Sequence, residues 1–406
     1  MPHDRFDAAL AAHIETLENQ GTAKGAENVI VGVVPATEGR GPRYHLEGRG
    51  DQEFLKMNSN NYLGLSLRPE LIEAEEHASR EFGVGPGAVR FISGSYRHHL
   101  ELERRLAEFH GRESGMIFSS AYASILGVLV PLITKETTVI SDELNHNCII
   151  NAMRLARPLE KKIYRHLDMD GLEKALAEGQ GKRALVVTDG IFSMRGSYAP
   201  LEKVVELARK YDERYEENAI VVVDDSHGAG AFGHTGRGTE EFTGARADVL
   251  IATLGKAFGV NGGYVVGTET LTRYLRESAP TYIYSNPITV GETAAATKAL
   301  DVVDSDVGAG LLEHLREMTA RFERGIVDLG WETIPGPHPV TPLMVRDTPK
   351  TADLVGYLFE NGVLATGLNY PVVPKGDESI RFQINADHTP RDIDEVLGLI
   401  EKFGAS

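Results

Sequence analysis

Residues 253–264 read TLGKAFGVNGGY, one lysine set among glycines straight after the apolar run Val249–Ala252. A lysine in such a turn cradles a phosphate, offers its amine for covalent chemistry, or sits in solvent with no special task. The P-loop version of the first reading fails on spacing. That motif needs Gly, four residues, then Gly-Lys-Ser/Thr, so that a hydroxyl follows the lysine. Here Ala257 follows Lys256, and no glycine stands at the required upstream position. What Lys256 does therefore depends on what the rest of the chain brings to it.

Outward from that stretch, residues 184–188 (ALVVT), 219–223 (AIVVV) and 249–253 (VLIAT) are short, continuously apolar and rich in branched side chains. Runs of this kind are strands covered on both faces, as in a parallel sheet. Between the first two, Pro200–Glu217 puts Leu201, Val204, Val205, Ala208 and Tyr211 on one helical face. Alternating strands and helices predict an α/β domain with a mostly parallel sheet over about residues 60–290. Two long helical patterns follow, near Val290–Val303 and Gly310–Leu329, then short strands and a final helix at Pro390–Phe403. These predict a smaller α+β C-terminal domain over 291–406. Residues 1–59 are expected to form an N-terminal arm, with a helix over Phe6–Leu17, and a segment of the small domain.

Bulk properties exclude several classes of function. A net charge of −17 argues against a nucleic-acid or anionic-membrane surface, so any anionic ligand needs a local positive pocket. The single cysteine, Cys148, forbids an intramolecular disulfide and a Cys-rich metal site, and no metal is expected. No apolar run approaches the ~20 residues of a membrane span. The polar, amphipathic N-terminus is unlike a secretory leader, and a cytoplasmic protein is expected.

The polar residues at the strand ends now matter. VVVDDSHGAG puts Asp224 and His227 past one strand, VVTDGIFSM puts Asp189 and Ser193 past another, and Lys256 follows a third. Ligands of open α/β sheets bind beyond the carboxyl ends of the strands, so these groups can share one crevice. Taken singly, each has a plain alternative: Asp and Ser are common turn formers. An amine, an acid and hydrogen-bonding side chains without metal or thiol suit a Schiff base to pyridoxal 5'-phosphate (PLP). A carboxylate then keeps the pyridine nitrogen protonated. For the phosphate, Ser119 and Ser120 precede a helical run at Ala121–Leu132, whose first N–H groups and dipole attract anions. An ordinary serine N-cap reads the same way.

Several stretches, in order, resemble the α-oxoamine synthases of the fold-type I PLP-dependent transferases. They are SNNYLGL (59–65), GVGPGAVRFISGSYRHHLELE (83–103), ISDELNHNCII (140–150), TDGIFSMRGSYAPL (188–201), VDDSHGAGAFGHTGRG (223–238), TLGKAFGVNGGY (253–264) and YPVVPKGDESIRFQINADHT (370–389). Members condense an amino acid with an acyl-coenzyme A and release coenzyme A. The resemblance implies a homodimer with active sites at the subunit interface. Carried over position by position, it implies that Lys256 bears the cofactor and moves the α-proton. It puts Asp224 on the pyridine nitrogen, His227 with Ser193 at the phenolic oxygen, and His146 on the ring face. His146 and His227 are also the candidate proton donors. Ser120, Ala121 and Tyr122 would hold the phosphate, helped by Thr253 and by Ser285 of the neighbouring subunit. Asn60 and Arg381 would grip the substrate carboxylate, Arg381 through its planar fork.

On substrate, the motifs point two ways. YPVVPKG, RFISG and INADHT look most like the 2-amino-3-ketobutyrate ligase (glycine C-acetyltransferase) branch. GKAFGVNGGY looks more like the 8-amino-7-oxononanoate and 5-aminolevulinate synthases. Arg195 stands where acidic residues are common, and Ser95 where threonine is usual. Small residues at Gly87-Ala88-Val89 favour glycine with a short acyl-coenzyme A such as acetyl-CoA. The alternative is a decarboxylating synthase taking alanine or serine and a longer acyl chain. A PLP aminotransferase or aldolase, and a non-enzymatic PLP-fold sensor, are the remoter readings. The last needs a basic DNA-binding module, for which no room is left before residue 60.

Overall fold

The three apolar runs are strands, and four more pair with them. In chain order they are β1 (Ser114–Phe118), β2 (Thr137–Asp142), β3 (Glu160–Tyr164), β4 (Arg183–Asp189), β5 (Ala219–Asp224), β6 (Val249–Thr253) and β7 (Gly263–Gly267). They form one sheet in the order β1-β7-β6-β5-β4-β2-β3, with β7 antiparallel to both neighbours and the strands from β6 through β3 parallel. The computed structural model describes residues 3–20, 22–23, 25–370 and 372–405.

Central strands are dry on both faces: Leu185, Val186 and Val187 of β4 and Val221, Val222 and Val223 of β5 are all fully buried. Burying one such side chain contributes roughly 1.5–3 kcal/mol, which is why an uninterrupted branched run commits to this environment. The core on one side of the sheet packs Met116, Phe118, Val139, Val187, Val222 and Ile251 against the helix Ala121–Leu132 and the helix Asn147–Ala156. The helix expected over Pro200–Glu217 covers only Leu201–Lys210; a 3-10 turn at Asp212–Arg214 follows, and Asn218 turns left-handed (φ 67°) into β5.

Parallel pairing sets the site. The carboxyl ends of β2, β4, β5 and β6 lie on one edge, so Asp142, Asp189, Asp224 and Thr253 arrive there together. Because β7 runs the other way, its first residue, Gly263, joins the same edge opposite Phe118 and Thr253.

The chain divides into two compact units. The larger comprises residues 60–316 and 336–339, and the smaller 1–59, 317–335 and 340–406. The expected boundary near residue 290 therefore moves to Arg316, inside the helix Asp306–Asp328. The reason is packing: the helix Val290–Val303 buries Val290, Ala295, Ala296, Ala299 and Leu300 and lies on the helices Pro69–Phe82 and Arg97–Phe109 of the large unit. Gly291 permits the approach, since a Cβ there would stand 2.5 Å from Ser79 Oγ.

The small unit holds a four-stranded antiparallel sheet ordered Glu332–Thr333, Val340–Met344, Ser379–Gln383, Thr366–Leu368. Arg381 sits on its Ser379–Gln383 strand, opposite Pro342 on one side and Thr366 on the other. The arm helix is Asp4–Asn19, and its apolar face (Phe6, Leu10, Ile14) is exposed on the single chain. Among the described residues no helix is long and apolar enough to cross a membrane.

Candidate active site

At the carboxyl edge of the sheet lies a cavity lined by Ala121, Tyr122, His146, Cys148, Asp189, Ile191, Ser193, Asp224, Ser226, His227 and Lys256. Eight residues singled out in the sequence thus meet in one place: Lys256, Asp224, Asp189, His227, His146, Ser193, Ala121 and Tyr122.

Lys256 is carried by a loop closed on itself, with Leu254 N–H donating to Gly262 O (2.9 Å), Val260 N–H to Leu254 O (3.0 Å) and Gly259 N–H to Lys256 O (3.0 Å). Gly259 needs to be glycine twice over: its φ is +70°, and a Cβ would meet Ser66 N at 2.5 Å.

Asp189 and Asp224 are directly paired across β4 and β5, two buried carboxylates side by side. Burial first, and Asp224's charge second, push Asp189 well above the ordinary carboxylate range; the N–H of His146 and the Lys256 charge pull the other way. Such a pair calls for a cation near it. Asp225, one residue on, points elsewhere: its carboxylate accepts Thr239 N–H (2.7 Å) and Thr239 Oγ–H (2.6 Å).

His146 caps the helix Asn147–Ala156 with its ring. Nδ1 lies 3.3 Å from Cys148 N and 2.8 Å from Cys148 Sγ. A backbone N–H only donates, so Nδ1 must accept and the ring proton is on Nε2. Burial lowers the pKa of His146, Asp224 opposes this, and Lys256 adds to it. His227 is held at Nδ1 by Tyr62 Oη (2.7 Å), which in turn reaches Asn60 Oδ1 at 3.2 Å. Running the protons from Nδ1–H to Tyr62 to Asn60 satisfies all three groups. Asn60 thus enters through Tyr62 and does not line the cavity. His338 Nε2 reaches the His227 carbonyl at 3.0 Å, and burial brings its pKa down to about 3.

At the other end of the cavity, Ser120 Oγ accepts the Ala123 N–H (3.1 Å) as N-cap of the Ala121–Leu132 helix. The first N–H groups of a helix have no partner within it, so those of Ala121 and Tyr122 suit an anion. β7 presses on this helix start: a Cβ on Gly263 would lie 2.4 Å from Ala121 N. Gly263→Val should displace the helix start and raise the PLP dissociation constant by about tenfold or more, ~1.4 kcal/mol; titration of the apo-protein checks this, and unchanged affinity contradicts it.

Three residues expected at the cofactor, Ser120, Thr253 and Ser285, lie outside this lining, the last of them expected from a neighbouring subunit. Thr253 does not line the cavity; its hydroxyl donates to Gly262 O (3.1 Å) and accepts Gly255 N–H (3.0 Å), bracing the lysine loop. Ser285 also lies outside the lining, with Oγ 3.4 Å from Asn286 O. Cys148, Ile191 and Ser226 complete the lining, and none is visible beforehand as a site residue.

PLP fits these residues. The adjacent carboxylates match a protonated pyridine nitrogen, the helix start matches a phosphate, and the buried Ser226 Oγ, without a hydrogen-bond partner, faces the need for a polar ligand. Among the described residues no group of three or more His, Cys, Asp and Glu is arranged for a metal.

Comparison with known proteins agrees with this chemistry. Residues 52–400 match the family model "Aminotransferase class I and II". The chain is 40% identical over 364 residues to 8-amino-7-oxononanoate synthase 1 of Bacillus velezensis, covering 89% of this chain and 90% of that one. It is 38% identical over 399 residues to the mitochondrial 2-amino-3-ketobutyrate coenzyme A ligase of Bos taurus, covering 97% and 91%. A serine palmitoyltransferase from S. paucimobilis, solved with a bound PLP–myriocin aldimine, superposes with a TM-score of 0.87 at 26% identity over 99% of this chain and 98% of that one. A strand-end lysine, paired carboxylates and an anion-ready helix start on this fold, together with these relatives, make the chain a member of the class I and II aminotransferase family and, within it, a PLP-dependent α-oxoamine synthase.

Proposed function

We propose that the protein condenses glycine with a short acyl-coenzyme A, such as acetyl-CoA, to a 2-amino-3-oxo acid and free coenzyme A. The observation that carries the acyl-transfer chemistry is the convergence of Lys256, the Asp189–Asp224 pair and two imidazoles on one cavity. Bound PLP supplies an electron sink for the carbanion left at the amino acid's α-carbon. Lys256 would hold the cofactor at its aldehyde and, as a neutral amine, would take the α-proton on Nζ. Asp224 keeps the proton on the ring nitrogen, and Ser193 and His227 hold the phenolic oxygen. His146, with its proton on Nε2, is suited to donate to the thioester oxygen as the new carbon–carbon bond forms. The helix start at Ala121–Tyr122 anchors the phosphate.

Glycine with a short acyl chain is supported by the match to the ketobutyrate ligase over 97% of the chain and by the small residues Gly87 and Ala88. The second reading, an oxononanoate-synthase-like reaction with alanine and a longer acyl chain, is supported by the 40% identity to that enzyme. Free-thiol release across a grid of amino acids and acyl-coenzyme A lengths separates them. The highest kcat/KM is expected for glycine with acetyl-CoA; a maximum at alanine and a long chain favours the second reading. Absence of thiol release from every pair contradicts both.

We assign Arg381 to the substrate carboxylate on the strength of the family resemblance. Truncating one partner of a buried charge-assisted pair costs roughly 2–5 kcal/mol. Arg381→Ala should therefore retain PLP but raise the amino-acid KM at least ~30-fold, and lysine there should restore only part because it lacks the fork. An unchanged KM in the folded, PLP-loaded variant removes Arg381 from the site. We also propose a homodimer, in keeping with the exposed apolar face of the arm helix and exposed Val84, Phe91 and Ile92.

A further inference from the structure

Beside the cofactor cavity, three side chains form a hydrogen-bonded line that the reaction does not use. Asp142, the last residue of β2 and 2% exposed, faces His166 Nδ1 at 3.1 Å, and His166 Nε2 faces Ser197 Oγ at 3.0 Å. The carboxylate also accepts Leu144 N–H on Oδ1 (2.8 Å) and Leu167 N–H on Oδ2 (3.0 Å). An ionised carboxylate only accepts, so Nδ1 carries a proton, and in the neutral ring Nε2 accepts from the serine hydroxyl.

This is the hydrogen-bond sense of a nucleophilic Ser–His–Asp triad, but Ser197 does not line the cavity. What the line grips is a hairpin. Ile191 pairs with Tyr198, Phe192 N–H donates to Ser197 O (2.8 Å), and Gly196 N–H donates to Phe192 O (2.9 Å). His166 holds both arms at once: its ring packs edge-on against Phe192 (centroids 4.4 Å apart, 85°) while Nε2 meets Ser197. Ser193, which lines the cavity, is the next residue after Phe192.

The anchor end is built to stay put. Leu167 is left-handed (φ 59°), an unfavourable conformation for leucine that its N–H bond to Asp142 supports. The His166 N–H donates to Glu143 Oε1 (2.9 Å), tying the same segment to the turn after β2 that leads to His146.

We propose that Asp142, His166 and Ser197 are positioning residues that set the 191–198 hairpin, and through it Ser193, at the cofactor cavity. The inference rests on Ser193 being a cofactor contact, as the proposed site has it. Cofactor affinity is the readout, measured by titrating the apo-protein with PLP. Ser193→Ala and Ser197→Ala should each raise the dissociation constant about fivefold, the size expected for one hydrogen bond. Combining them should add less than about twofold over the larger single effect, because interacting residues are not additive. Ser197→Thr, which keeps the hydroxyl, should bind PLP within about twofold of wild type, and Ser197→Ala should speed hydrogen exchange at the Phe192 and Gly196 amides. If Ser193→Ala changes nothing, the assignment of Ser193 to the site fails and the inference with it. If Ser193→Ala weakens binding but Ser197→Ala does not, or the two effects multiply, the positioning role alone is overturned.

Discussion

Lys256→Ala is expected to fold normally and lose at least about 10³-fold in turnover. A positioned acid–base group accounts for about 10²–10⁴-fold, and this lysine is also the residue we propose to hold the cofactor. Folding should survive because the loop is closed by backbone bonds that alanine keeps, from Leu254 to Gly262, Val260 to Leu254 and Gly259 to Lys256. Lys256→Arg separates charge from chemistry: the guanidinium keeps the positive charge facing Asp189 but never offers a neutral amine. It should be as inactive as the alanine variant. Steady-state thiol release, with circular dichroism as the folding control, checks both. A loss under tenfold in either variant contradicts the role assigned to Lys256.

Asp224→Asn should lower turnover about 10²–10³-fold, the range for removing one preorganised electrostatic group, while Asp225→Asn should mainly lower stability. Asp224 faces the cavity and accepts Ser226 N–H on Oδ1 (3.1 Å), a bond an amide oxygen can keep, and the weak Cys148 Sγ–H donor on Oδ2 (3.9 Å). Asp225 takes two donors from Thr239 and is walled by Gly190, Gly228 and Gly238, each so close that a Cβ would lie within 2.3 Å of its oxygens. An amide there can keep its oxygen on Thr239 N–H only by turning its NH₂ toward Thr239 Oγ, which must then accept, a rearrangement in a tightly walled site expected to cost roughly 1–3 kcal/mol.

The pH dependence has a definite sign. Burial pushes Asp225 from the ordinary 3.8 up to about 7. The folded protein then binds this proton more tightly than the unfolded chain, so its stabilising share is full below pH ~4 and is lost as pH rises through about 7. The gap in Tm between wild type and Asp225→Asn should therefore shrink from pH 4 to 7. If Asp225→Asn is the inactive variant and Asp224→Asn turns over normally, the register of the two acids is wrong.

The central strands were legible because burial on both faces demands what their sequence displays, an unbroken branched run. β7 was not, although it begins at Gly263 within the lysine loop: GYVVG is short and glycine-flanked, and only pairing with β1 and β6 makes it a strand. The boundary after residue 290 was misplaced for a related reason. Helical periodicity locates the apolar face of Val290–Val303 but not the helices it packs on.

In the site, residues whose chemistry is intrinsic stood out: an amine after a strand, Asp-x-x-His, a serine before a helix. The supporting groups did not. Tyr62 matters only because it meets His227 across 165 positions, and His166 because it meets Ser197 across 31. Thr253 shows the converse, a site-like residue whose hydroxyl the loop itself engages at both sides.

The claim on which the account turns is that Lys256 is the residue joined to PLP. Borohydride reduction of the PLP-saturated protein, followed by proteolysis and mass mapping, tests it directly. A pyridoxyl group is expected on the peptide containing Lys256 and on no other lysine. A label on a different lysine, or none in cofactor-saturated protein, contradicts it.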